Sequence, residues 1–256
     1  MTGSIASPPG FRVVDKDPEA IRFPLMEQPV VGFLLAIIAG LLNAWSLATT
    51  QTFATVQSGN VVSGGYYLVT GDWQRFSVAM LSVLFFGLGS ALCGVLITTT
   101  WRHKKSFTAP VLFILTGLLA LLAVLAFIGQ VDSILIAWGV SFAAGAQGNA
   151  FHKDHGMLYG AVAVTFVVQM AFNFLAQSFF EKKGINGEPN LRWAGFFFLV
   201  ILGFAGGGAV GVLANYLFDG ASIALAALIT LGIGIAAVRT QASNLRADPT
   251  PGGTFA

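Results

Sequence analysis

The sequence predicts an all-α integral membrane protein with six transmembrane helices plus two short or re-entrant helices, arranged as two inverted-topology repeats. Three observations carry that expectation. Of 256 residues, 55% are hydrophobic and only 9% charged, too few charges to clothe a water-soluble domain of this length. The charges are bunched, leaving residues 28–71, 76–101, 106–131, 133–151, 156–180, 193–218 and 220–238 without any. Crossing a bilayer takes ~20 residues at ~1.5 Å each, so several of these runs are long enough. Finally, the chain weakly repeats its own motifs. A β-barrel is excluded, because barrel strands alternate over ~10 residues instead of staying apolar for ~20.

Residues 1–28 carry Asp15, Lys16, Asp17, Glu19, Arg22 and Glu27 among several prolines. They read as a soluble tail, not as the basic start of a secretory signal. The next charge-free stretch, 28–71, would measure ~66 Å as one straight helix, more than twice the ~30 Å hydrocarbon thickness. It must turn back on itself. The expected break is Thr49 to Thr52 followed by Gln57, Ser58, Gly59 and Asn60, which leaves Val30–Leu47 as the first span and Val61–Val69 as a piece too short to cross. Spans are then expected near 77–100, 109–129 and 133–150. Residues 156–180 are long enough to cross but hold Thr165, Gln169, Asn173 and Gln177 at intervals of four, which makes one polar helical face. Two more spans follow, near 193–216 and 221–238. The domains therefore read as tail 1–28, first repeat 29–130, second repeat 131–240 and a disordered tail 241–256.

Lys and Arg accumulate in cytoplasmic loops, and this arbitrates between topologies. With the N-terminus inside, eight spans place nine basic residues inside and four outside, and seven spans split them seven to six. If both ambiguous segments enter and leave by the same face, twelve lie inside and only Arg75 outside. The third arrangement is the expected one, with both termini cytoplasmic. The tight links at Asp132 and Asp219 then face outward.

Self-similarity supports two halves. Ala39-Gly40-Leu41-Leu42-Asn43-Ala44 closes the first span and Ala144-Gly145-Ala146-Gln147-Gly148-Asn149-Ala150 the fourth, each followed by an ambiguous helix. Ser90 to Leu96 corresponds to Gly207 to Leu213, pairing Gly94 with Gly211. Three crossings per half is an odd number, so the second copy is inverted. Such architectures recur in transporters and channels, where broken helices meet near the midplane.

Candidate pathway residues follow from depth and chemistry. Gln57, Ser58, Gly59 and Asn60 form non-helical backbone at membrane depth, tolerated only where it is buried or lines water. Ser58 and Asn60 can cap a helix starting at Val61, and a helix N-terminus favours anions. Asn43 with Ser46, and Gln147 with Asn149, offer donors and acceptors near span ends; the alternative is interhelical glue. Thr165, Gln169 and Asn173 would line a path if their helix borders water, and would be packing contacts if it borders protein. Ser90 with Gly94, and Gly207 with Gly211, permit close helix approach. Cys93, the sole cysteine, reads as a packing residue. His152-Lys153-Asp154-His155 resembles a metal cluster but lacks further ligands, and reads as a solvated cytoplasmic loop.

No phosphate loop, His-Glu-x-x-His helix or Gly-x-Ser-x-Gly elbow is present, so neither enzyme chemistry nor a cofactor is expected. A net charge of +2 without a basic stripe gives no footprint for nucleic acid. No ionisable residue lies deep in a span, so carboxylate-based proton coupling is unsupported. What remains is a path for a small neutral or anionic solute or, alternatively, a non-transporting membrane scaffold. Association into homo-oligomers stays open.

The order Ala-Gly-x-x-Asn43-Ala44, then Phe53-Ala-Thr-Val-Gln-Ser58-Gly59-Asn60, then Gly145-Ala-Gln147-Gly-Asn149-Ala150 resembles the YoaK family of bacterial membrane proteins, a domain of unknown function. The resemblance covers roughly residues 30–240 and implies six spans in a bacterial inner membrane, without a substrate. Relatives commonly carry an acidic residue where this chain has Asn43, Thr-Gly-Asn where it has Ser58-Gly59-Asn60, and a Thr-Gly pair where it has Thr165-Phe166. If the acidic residue serves coupling in relatives, this chain lacks it.

Overall fold

Proline at the first helical position, where no N–H is needed, starts the first long helix, α1 (Pro29–Thr50). It ends when Gln51 turns left-handed at φ 55°. Seven helices follow in the computed structural model, which describes residues 23–154, 157–158, 160, 163–184, 187–243 and 246–249. They are α2 (Gln57–Thr70), α3 (Trp73–Arg102), α4 (Thr108–Ile128), α5 (Ser133–Ala150), α6 (Val164–Phe180), α7 (Asn190–Asn215) and α8 (Ala221–Ala242). Apart from a two-residue antiparallel ladder joining Lys153–Asp154 to Met157–Leu158, the described chain is helical.

Helices α1, α3, α4, α7 and α8 are each long and apolar enough to cross a membrane. α5, the remaining expected span, has 18 residues and is not among them. Its Ser133, Ser141, Gln147 and Asn149 lower its hydropathy, and much of it is buried against α3. α2 and α6 are the short pieces, at 14 and 17 residues.

Packing follows glycine. A methyl group on Gly40 of α1 would collide with the Phe204 carbonyl of α7, and one on Gly207 with the Ile37 carbonyl. Gly145 of α5 stands in the same relation to Phe86 of α3, and Gly89 to Phe142. Neither pair has room for a Cβ, so both are backbone-to-backbone crossings of the kind small residues allow in lipid. The contacts run in parallel register: Phe33 with Gly203 and Leu41 with Gly211 on one pair, Val78 with Trp138 and Gly94 with Asn149 on the other. α4 and α8 pack antiparallel, with Ala126 at Gly220 and Phe113 at Gly234. α2 lies on α3 and α6 on α7, both antiparallel: Gly64 meets Met80 and Asn60 meets Ser82, while Phe172 meets Phe198 and Phe174 meets Trp193.

The α3–α5 contact corrects one expectation. Pairing Ser90 with Gly207 and Gly94 with Gly211 is one residue out of register, because the crossing glycine of α3 is Gly89. Ser90 instead donates its hydroxyl to the Gly145 carbonyl at 2.9 Å, and Gly94 is only loosely opposite Asn149.

Short described segments beyond the long helices pack against them. A 3-10 turn, Leu25–Glu27, buries Met26 and Glu27, and Leu25 N–H donates to the Arg246 carbonyl. At the other terminus α8 extends to Ala242. Ala247 is buried, and Asp248 accepts from Ser106 Oγ, from the backbone N–H groups of Phe107 and Thr108, and from Thr108 Oγ1. A carboxylate there satisfies N–H groups that the start of α4 leaves without helical partners. The rest of both tails lies outside the described residues.

Candidate functional site

The chain between α1 and α2 is a six-residue interruption, residues 51–56, folded back against the helix it has just left. Thr55 N–H donates to Asn43 Oδ1 at 3.1 Å, Asn43 Nδ2 donates to Thr55 Oγ1 at 2.5 Å, and Ala54 N–H donates to Ser46 Oγ at 3.1 Å. From the other side Asn60 accepts from Phe53 N–H at 3.0 Å and donates to Phe53 O at 2.7 Å. Gln57 donates to Ala54 O at 2.8 Å. Asn43, Ser46, Ala54, Thr55 and Asn60 are all buried. Buried backbone polar groups must find partners, and these side chains supply them.

This geometry changes the role of the central motif. The helix starts at Gln57, not at Val61, with Val56 at its cap position and no side-chain cap bond. Asn60 does not cap because its carboxamide is engaged with Phe53. Ser58 is exposed. Gly59 is helical, and its small size matters because a Cβ would lie 3.0 Å from the Phe53 ring.

Asn60 Nδ2 also reaches Ser82 Oγ of α3 at 3.1 Å, and Ser82 Oγ lies 2.8 Å from Ser141 Oγ of α5. Ser82 donates in addition to Phe53 O at 3.1 Å. These three side chains form a dry polar layer, each at most 2% exposed. Ser82 and Ser141 escaped the sequence reading. Each is one of several hydroxyls in its apolar run, with Ser77 and Ser90 on α3 and Ser133 on α5, so nothing local singles it out.

A cavity lies beyond each side of this layer. One, of about 510 Å³, is bordered by Thr49, Thr52, Tyr67, Arg75, Val78 and Ile134. The other, of about 570 Å³, is bordered by Thr98, Trp101, Arg102, Lys104, Asn149 and His152. Along both α3 and α5 the serine layer falls between them. Asn149 borders the second cavity, while Gln147 is buried and donates to Leu35 O at 3.4 Å.

Arg75 borders the first cavity, while Arg102, Lys104, Lys153, Arg192 and Arg246 gather toward the opposite end. His152 and Lys153 face the same cavity as Arg102 and Lys104, Arg246 bonds Leu25, and Glu188 and Arg192 border a cleft with Pro29 at the start of α1. His152 and Lys153 do not form a solvated loop: Phe151 and Lys153 are buried, and the Lys153–Asp154 strand touches the Leu25–Glu27 turn. Burial holds the His152 imidazole below its ordinary pKa of 6.5, and Lys153 acts in the same sense; a bond to the Asn149 backbone and the charge of Glu27 partly oppose this. His155 lies outside the described residues. Cys93 is buried and free, in keeping with a packing role.

α6 behaves differently. Val167, Ala171 and Phe174 are buried, with Phe174 stacked on Phe197 at 5.8 Å. Thr165, Gln169, Asn173 and Gln177 all lie on the exposed side, with Gln177 Nε2 donating to Asn173 Oδ1 at 3.3 Å. The structure therefore gathers Asn43, Ser46, Gln57, Gly59 and Asn60 into one cluster, and sets Asn149 at a cavity. It leaves Thr165, Gln169 and Asn173 on an outer face.

No curated protein and no solved structure shows significant similarity to the chain. Residues 31–236, from the start of α1 to near the end of α8, match a family described as a protein of unknown function, DUF1275. With that match covering most of its length and all eight helices, the chain belongs to the DUF1275 family.

Proposed function

We propose that this protein is a six-span, YoaK-type transporter or channel of the bacterial inner membrane, with both termini cytoplasmic and a small neutral or anionic solute as cargo. The observation that carries the reading is the pair of cavities at opposite ends of the α3–α5 contact, with the buried polar layer of Asn60, Ser82 and Ser141 lying between them. Val78 and Ile97, which border the two cavities on α3, stand ~28 Å apart along the helix, so the closed barrier includes both the serine layer and the tight Gly89 and Gly145 crossings, which a carrier or gated channel must part to join its two vestibules.

Two inverted halves are supported by the pairing of helices. Exchanging α1–α4 with α5–α8 turns α1·α7 into α5·α3, α2·α3 into α6·α7 and α1·α8 into α5·α4, and leaves α4·α8 unchanged; each of these pairs is in contact. The glycine crossings obey the same exchange. A re-entrant α2 and α6 would place Lys104, Lys153, Lys182 and Arg246 together on the cytoplasmic side, as positive-inside bias favours. On this reading the carboxamides of α6 border water or another copy of the chain, since lipid offers them no partner.

Flux of small neutral and anionic solutes into proteoliposomes tests the assignment. Flux should fall with Asn149→Leu, which blocks the basic-end cavity. No flux for any solute, or flux unchanged by both Asn149→Leu and Ser141→Leu, would count against a path here. One observation favours the scaffold reading instead: Asn43, Ser46 and Asn60 are fully engaged with loop backbone. A cysteine at Ser82 that stays inaccessible to water-soluble reagents during solute addition would support it.

A further inference from the structure

The cavity at the basic end has a lining of one sign. Arg102 and Lys104 reach it from the end of α3, and among the described residues no Asp or Glu borders it. Asp248, the neighbouring carboxylate, is engaged with the start of α4 through Ser106, Phe107 and Thr108. Lys153 also borders the cavity, with Glu27 buried in an element that touches its strand, so the cationic character of the site rests on Arg102 and Lys104. Among the described residues neither has an ion-pair partner.

Lys104 is set in place by its backbone. It adopts φ 54°, a left-handed conformation usually left to glycine at a helix end, and its N–H donates to Trp101 O at 2.7 Å. From α5, the Asn149 carboxamide and the His152 ring border the same space. A guanidinium fork, an ammonium and a carboxamide approaching from two helices suit an anion with several oxygens better than a neutral solute.

The volume, about 570 Å³, lies within the range of small-ligand sites. Trp101 and Phe107 flank it, as aromatic side chains do at headgroup level. Above it, Gly87, Ala91, Gly94 and Thr98 share one face of α3, and a methyl group on Gly87 would meet nothing within 4 Å. Leu88, Leu92 and Val95 stand exposed beside this strip, an apolar surface along which an acyl chain can lie.

We propose that the basic-end cavity binds an anionic phosphate group through Arg102 and Lys104. Two sources share that chemistry, the headgroup of an anionic phospholipid and free phosphate, and the strip on α3 favours the phospholipid. The site is the same basic-end cavity that the transport reading uses as a vestibule, but binding is measured without flux, so either can fail without the other.

The test uses the full-length protein in neutral detergent, titrated separately with short-chain phosphatidylglycerol, inorganic phosphate and an uncharged diacylglycerol of the same chain length, with thermal unfolding as the readout. Saturable stabilisation by phosphatidylglycerol is expected, with none by diacylglycerol. The double variant Arg102→Gln/Lys104→Gln should weaken apparent affinity by about tenfold or more. Both side chains are exposed, so the variant should fold, while Arg239→Gln at the same end should bind as the native chain does. Stabilisation by inorganic phosphate with the same dependence on Arg102 and Lys104 also supports the site and assigns free phosphate as its ligand. No response to either phosphate-bearing probe, or an equal response in the double variant, overturns it.

Discussion

α2 and α6 occupy matching places, one against α3 and the other against α7, yet they are held by different chemistry. α2 is fixed by hydrogen bonds: Asn43 and Ser46 hold its entry loop from α1, Asn60 holds it from within, and Ser82 ties the set to α3. Its outer face is apolar, with Val61, Val62, Tyr66 and Val69 exposed. α6 is fixed by rings, with Phe174 against Trp193 and Phe197, and Phe172 against Phe198. Its outer face carries the carboxamides. The same polar residue types thus serve inward on α2 and outward on α6, so a polar ladder in a span does not by itself say which side it lines.

This contrast can be broken by substitution. The largest effect is expected at Asn60→Leu, which strands the Phe53 N–H and removes the side-chain bonds to Phe53 O, Gln57 and Ser82. A loss of ~3 kcal/mol is expected, from one orphaned buried N–H at ~1–3 kcal/mol together with the forfeited carboxamide bonds. Reversible unfolding in mixed micelles measures it. Phe174→Ala comes next, at ~2 kcal/mol: packing is lost on α6, but lipid replaces part of the apolar contact and moderates the ~3–5 kcal/mol seen for large aromatic truncations in soluble cores. If Phe174→Ala proved as harmful as Asn60→Leu, the distinction between a bonded and a packed helix would be lost.

Smaller effects sharpen the comparison. Ser141→Ala removes one hydroxyl contact and should cost ~0.6 kcal/mol, the average for interhelical side-chain bonds in membranes. Gln169→Leu should change stability by less than ~0.5 kcal/mol in micelles, because the side chain is exposed. The smallest effect is a pH dependence from His152. Its pKa is depressed in the folded protein by burial, so below the unfolded value of 6.5 the unfolded chain takes up the proton first. Stability is therefore fully present above pH 6.5, declines as pH falls below it and levels off once the folded imidazole also protonates. Unfolding measured between pH 5 and 8 should show this decline, and His152→Gln should flatten it.

Much of the fold was legible because lipid imposes simple rules. The stretch from Gln28 to Gly71 was too long for one crossing, and the break began within the expected Thr49 to Thr52, with α1 ending at Thr50, but it closed at Val56, so Gln57 to Asn60 form the first turn of α2 and not the break. Charge-free runs located α3, α4, α7 and α8 to within a few residues. The site was less legible, because a carboxamide serves a loop backbone and a solute with the same atoms. Asn43 and Asn60 stood out, but their partners Phe53 and Thr55 are ordinary residues made important by the fold-back. Gly89 was missed in favour of Gly94 because both lie in one small-residue run and only the crossing geometry selects between them. Asp248 was read as tail because nothing local reveals that it meets the start of α4.

The central claim is that α2 and α6 each leave the membrane on the side they entered, so that all but one of the basic residues share a face. Sidedness labelling in intact cells, with single cysteines at Arg75, Lys104 and Lys182 in a Cys93→Ala background, tests it most directly. The account predicts that a membrane-impermeant reagent added outside labels the cysteine at 75 alone, and that those at 104 and 182 react only after the cells are opened. Labelling of position 182 together with position 75 would contradict it.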